Sequence, residues 1–114
     1  MLSKKFRLTG SKNFKKVQDE GSIFQSVSFG IAYIDRKDIN PSRFAFVVST
    51  KISKDAVDRN RFKRTMSEAV RTSTIDVRNG FDVVFLAKSL ITRTPASDLM
   101  KEVKASLKQV GISG

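Results

Sequence analysis

Residues 58–71 read DRNRFKRTMSEAVR and bring Arg59, Arg61, Lys63, Arg64 and Arg71 into one short segment, with Glu68 the one acid inside the basic run. Guanidinium and ammonium groups at this density bind anions. Asn60 and Ser67 among them can only hydrogen-bond, and the mixture matches the phosphates and sugar hydroxyls of a nucleic-acid backbone. Protein-borne catalysis of the usual kinds is disfavoured. The chain has no Cys and no His, which removes disulfides, thiolate zinc sites, and the commonest general base and metal ligand. Asp19-Glu20 and the acids of the turns read as surface and cap residues, and no carboxylates fall at metal-ligand spacing. No catalytic or metal-binding residue is assigned.

The whole composition points the same way. Twenty-two Lys and Arg against eleven Asp and Glu leave +11 on 114 residues, a self-repulsion that a polyanion would offset. Nucleic acid is the leading partner and an anionic membrane surface the alternative. No segment approaches the roughly 18–20 apolar residues of a spanning helix. The opening MLSKKFRLTG lacks the apolar run of a secretory signal, so a cytoplasmic location is expected.

The elements that must position these cations follow from hydrophobic spacing, over one domain spanning residues 1–114. SKNFKKVQDE, 11–20, reads as a short helix with Ser11 as cap, Phe14 and Val17 three apart, and Gly21 as stop. Ser22 to Ile34 reads as one strand. Within it Phe29, Ile31 and Tyr33 alternate with Gly30 and Ala32, one bulky face and one small. DRKDINPS is a turn into a second strand, RFAFVVST, where Phe44, Phe46 and Val48 oppose Ala45, Val47 and Ser49. A helix over 56–71 follows, begun by Asp55 and Asp58, whose charges suit its positive end. NGFDVVFLAK is a third strand, apolar on both faces, and TPASDLMKEVKASLKQVG a last helix with Thr94 as cap, Pro95 at its first position and Gly111 as stop. The order is α-β-β-α-β-α, an α+β fold.

On the 56–71 helix, Met66, Ala69 and Val70 lie within about 80° of Phe62, while Asn60, Arg64, Ser67 and Arg71 fall within about 40° of the opposite pole. Lys63 and Arg61 flank that pole and Arg59 lies nearer the apolar edge. The spacing thus predicts a buried stripe behind a cationic ridge. If the Phe faces of the strands meet the helices, the small face of Gly30, Ala32, Ala45, Val47 and Ser49 either lies under a closely packed helix or remains as a shallow trough. Such a trough could take an extended single strand. Phe14 then serves either as core, the commoner role of a helix aromatic, or as a stacking platform at its edge.

These residues also carry a family resemblance. AVDRNRFKRTMSEAVR resembles the signature of the bacterial ribonuclease P protein subunit, A-V-x-R-N-R-x-K-R followed by an amphipathic helix. FRLTGSKNFKKV resembles the family's opening segment through Arg7, Leu8 and Phe14. VVSTK and FDVVFLAK resemble its later strands, so nearly the whole chain is covered. The resemblance implies a ribosomal-protein-S5-domain-2-like sheet of about four strands with a left-handed βαβ crossover. It implies that Arg59, Asn60, Arg61, Lys63, Arg64, Ser67 and Arg71 lie against the catalytic RNA subunit. It further implies that a cleft comprising Arg7, Phe14, Gly30, Ala32, Val47, Lys51, Val84 and Leu86 holds the single-stranded 5′ leader of precursor tRNA. The RNA, with magnesium held mainly by RNA and substrate and no organic cofactor, would remove the leader, the protein alone being inactive. The implied partners are RNA, not DNA or membrane, with the protein a monomer in a 1:1 ribonucleoprotein. Where the family often has cleft aromatics, this chain has Gln18 and Ala32. The competing readings are a ribosome-associated or structural RNA-binding protein without a catalytic partner, and a protein nuclease using Asp or Glu with a metal.

Overall fold

The computed structural model describes residues 2–73 and 76–113. Its elements are α1 (Ser11–Glu20), β1 (Ser22–Gln25), β2 (Phe29–Asp35), β3 (Arg43–Val47), α2 (Ala56–Arg71), β4 (Phe81–Ala87) and α3 (Ala96–Gln109), with short 3₁₀ turns at Lys4–Phe6 and Ser89–Arg93. The four strands form one mixed sheet in the order β1-β2-β4-β3. The last strand in sequence therefore inserts between two earlier ones, antiparallel to β2 and parallel to β3. The parallel pair β3 and β4 is joined through α2. Among the described residues no helix is long and apolar enough to cross a membrane.

Strand alternation sorts side chains into two layers. The bulky set, Phe29, Ile31, Phe44, Val83 and Phe85, packs against Phe62, Met66 and Val70 of α2 and Leu99, Val103 and Leu107 of α3. Phe85 lies at the centre, stacked on Phe46 at 5.2 Å and meeting Phe29 edge-on at 5.4 Å. The small set, Ala32, Ala45 and Val84, packs on the other face against Val17 of α1 and against Leu8, which precedes that helix. Central β4 contributes to both layers, which is why it is apolar on both faces from Val83 to Ala87.

Three local expectations are corrected. The stretch 22–34 is two strands, not one: the chain turns at 26–28, and β1 folds back antiparallel on β2, pairing Ile23 with Ala32. Glu102 of α3 holds that turn, its carboxylate accepting from the Ser26 hydroxyl (2.6 Å), the Ser28 hydroxyl (2.8 Å) and the Ser28 amide (2.8 Å). No local pattern in 22–34 reveals a partner 74 residues away. Ser11 is the first helical residue rather than the cap, and Gly10, at φ 90°, precedes it. Likewise Pro95 precedes α3, and the Thr94 hydroxyl, instead of capping, donates back to the Leu90 carbonyl at 2.9 Å.

Gly111 does end α3 as expected, at φ 82°, with the Ile112 amide donating to Leu107 and that of Gly111 to Lys108. Gly21 ends α1 for a different reason. Its φ is an ordinary −78°, but a β-carbon there would meet the Val17 carbonyl oxygen at 2.3 Å and that of Tyr33 at 2.7 Å. The glycine lets α1 turn directly down onto the sheet.

Candidate nucleic-acid interface

Helix α2 begins with Asp55, whose carboxylate accepts from the Val57 amide at 2.9 Å, and has Asp58 in its first turn. Burying Phe62, Met66 and Val70 favours folding by roughly 1.5–3 kcal/mol each. Repulsion between like charges one turn apart costs only a few tenths each. Core packing thus outweighs the cationic outer face and holds it in place.

The cations of that face are not equivalent. Half-buried Arg59 donates through Nη1 to the Ser53 carbonyl at 2.9 Å and ties the preceding loop to the helix. Arg71 forms a forked pair with Glu68, Nε reaching the two carboxylate oxygens at 3.0 and 2.9 Å. That contact raises the Arg71 pKa and lowers that of Glu68, the hydrogen bond being the larger cause in both. Arg61 lies over the Phe62 ring at 4.9 Å and has a long 3.4 Å contact to Asp58, both side chains well exposed, so the pair is weak. Asn60, Lys63 and Arg64 remain together on the surface beside Val57. Ser67 is corrected from the exposed pole to the interior: it is 2% exposed, and its hydroxyl donates to the Arg64 carbonyl at 3.0 Å.

On the other side of the sheet an open groove of about 380 Å³ lies between α1 and the small strand faces. Phe14, Ala32, Val47, Val84 and Leu86 line it, five residues of the expected cleft. Gln18, which stands where the family often has a cleft aromatic, lines it too, as do two residues not expected there, Val17 and Ile23. Val17 and Gln18 were accessible from their spacing of three and four after Phe14. Ile23 required β1, which the single-strand reading concealed. The remaining cleft candidates lie elsewhere. Gly30 is overlaid by Gln25, whose Oε1 is 3.0 Å from where a β-carbon would stand. Lys51 is exposed in the turn after β3. Arg7 bridges to the β3 edge at Phe44 and donates from Nε to the Leu2 carbonyl at 2.8 Å, lining a second, smaller cavity.

The groove is apolar with one amide at its wall, and the ridge is cationic. An apolar groove suits unpaired bases and a cationic ridge suits phosphates, and here the two surfaces lie on opposite sides of the sheet. Among the described residues no three acidic side chains gather where they could hold a metal ion.

The family model for Ribonuclease P matches residues 2–111. The chain belongs to the Ribonuclease P protein family. The ribonuclease P protein component of Syntrophomonas wolfei subsp. wolfei is 32% identical over 112 residues, covering 98% of this chain and 92% of the relative. That of Caldanaerobacter subterraneus subsp. tengcongensis is 31% identical over 109 residues, covering 96% and 92%. Staphylococcus aureus RNase P protein superposes with a TM-score of 0.88 at 19% identity, covering 96% of this chain and 98% of that one. RNase P protein from Thermotoga maritima gives 0.79 at 24%, covering 90% and 96%. At such identities the superpositions speak for the fold, a three-helix, four-stranded mixed-sheet domain. As a ribonuclease P protein component, the chain is a subunit of that enzyme, and a role in tRNA processing follows from the family.

Proposed function

We propose that this ribonuclease P protein component binds the catalytic RNA subunit along the α2 ridge and the single-stranded 5′ leader of precursor tRNA in the α1–sheet groove. The observation that carries this reading is the placement of ridge and groove on opposite faces of one sheet, so that one small domain can touch two RNA strands at once. The contribution is electrostatic and positional. A net charge of +11 lowers the repulsion between two polyanions, and the groove gives unpaired bases an apolar surface. Magnesium belongs to the RNA and substrate in this reading, and hydrolysis is RNA-borne. A purely scaffolding RNA-binding protein would have no use for the groove.

Mixing the protein with a bacterial ribonuclease P RNA at low magnesium is expected to restore cleavage of precursor tRNA at the mature 5′ end. Absence of stimulation overturns the proposal, and cleavage by the protein alone would favour a protein nuclease. In parallel, Arg64→Ala is expected to lower the salt slope of RNA-subunit binding by roughly 0.7–0.9. An unchanged slope would remove the ridge from that contact.

A further inference from the structure

We propose that the small cavity between the N-terminal segment, β3 and α2 is a binding site for one unstacked nucleobase of the RNA that lies along α2. Its flanking phosphates would rest on Arg7 and Lys63. The inference rests on the reading of α2 as an RNA-binding helix and adds a site distinct from both ridge and groove.

The cavity measures about 190 Å³, room for a single base but not for a duplex or a folded peptide. Its apolar lining includes Leu8, Phe44 and Phe46. Phe46 is held by its stack on Phe85, so the aromatic surface is rigid before anything binds. At position 67, 2% exposed on the inner side of α2, stands a serine. A leucine there would extend further into the space that Ser67 now borders.

Both charged residues of the lining are cations, and no acid among the described residues lines it. The Arg7 side chain is anchored by Nε to the Leu2 carbonyl, while its terminal nitrogens make no hydrogen bond among the described residues. Lys63 borders this cavity and also the outer surface shared with Asn60 and Arg64. A strand whose phosphates track the ridge therefore passes the cavity at Lys63. Aromatic lining with cations beside it is the chemistry that takes an extruded nucleotide: the base gains apolar and π contact, the phosphates gain charge.

Two measurements decide it. In the first, the isotope-labelled protein is titrated with adenosine and uridine monophosphates and, separately, with inorganic phosphate, and its backbone amides are followed by NMR. The expected result is a saturable shift at Leu8, Thr9, Phe46, Lys63 and Ser67 with the mononucleotides and a much smaller one with phosphate. An equal response to phosphate identifies only an anion between two cations and overturns the base site. In the second, Ser67→Leu is expected to weaken RNA-subunit binding by roughly tenfold while keeping most of the salt slope, because the phosphate contacts along the rest of the ridge remain. Parent-like affinity in a folded Ser67→Leu protein overturns the inference and leaves the ridge itself to the Arg64→Ala slope. Should that variant fail to fold, the mononucleotide titration decides alone.

Discussion

Arg43 and Asp82 face each other across the parallel β3–β4 ladder and form a forked pair, Nε to Oδ1 and Nη2 to Oδ2, both at 2.8 Å. Arg36 adds a 2.7 Å contact from Nη1 to Oδ1, and the carboxylate is 3% exposed. Removing it leaves two guanidinium groups facing a buried gap. Asp82→Ala is therefore expected to destabilise the fold by about 3–5 kcal/mol, measured by urea denaturation. The Asp82 hydrogen bond is the main cause raising the Arg43 pKa above its already high ordinary value. A raised basic group contributes fully below its unfolded pKa and is lost only as pH rises past the folded one. Arg43 therefore adds no alkaline loss of stability between pH 7 and about pH 10. A transition in that window that disappears in Arg43→Met would contradict this.

Glu68 makes the opposite kind of prediction. Its carboxyl is held below the usual range by the Arg71 hydrogen bond, so the pair is fully formed above the ordinary carboxylate pKa and is lost as pH falls through the lowered one. Both side chains are exposed, and the effect on folding is small. The effect on RNA is expected to be larger. Glu68→Gln removes the negative charge beside Arg71 and should steepen the salt dependence of RNA-subunit binding by up to about 0.9. An unchanged slope would mean that phosphates do not approach Arg71.

Gly21→Ala would drive a methyl group into two carbonyl oxygens, those of Val17 and Tyr33. A loss of about 1–3 kcal/mol is expected. Because the clash lies at the junction of α1 with β1, the groove should be disturbed first. Amide exchange in α1 is expected to accelerate more than in α2, and uniform acceleration would refute a local effect.

Phe14 lines the groove and is only half-buried. Phe14→Ala is expected to weaken binding of precursor tRNA to the reconstituted enzyme by about 1–3 kcal/mol while leaving binding of leaderless mature tRNA unchanged. Equal losses for both would place Phe14 in the core role alone.

Much of this architecture was legible in the sequence because period and burial agree. Phe62, Met66, Ala69 and Val70 mark the inner stripe of α2, and Gly30 and Ala32 against Phe29 and Ile31 mark the two sheet faces. What escaped depended on distant partners. The turn at 26–28 is held by Glu102, and the N-terminal segment is drawn to the β3 edge by the Leu8 amide donating to the Phe44 carbonyl. Ser67 was misplaced because the wheel was centred on Phe62, whereas the buried arc of α2 runs on past Val70 to Ser67, which satisfies its hydroxyl within its own helix. Arg59, placed nearer the apolar edge, and Arg71, placed at the outer pole, were both taken as RNA contacts, since charge counting cannot tell a guanidinium held by a carbonyl or a carboxylate from one offered to solvent.

The sheet that separates groove from ridge also bears on the order of assembly. On the proposed reading, a strand seated on one face would leave the approach to the other open, so neither RNA would have to arrive first. The two associations would then form a random-order cycle, and linkage would require any coupling between them, electrostatic in origin, to be the same whichever route is taken.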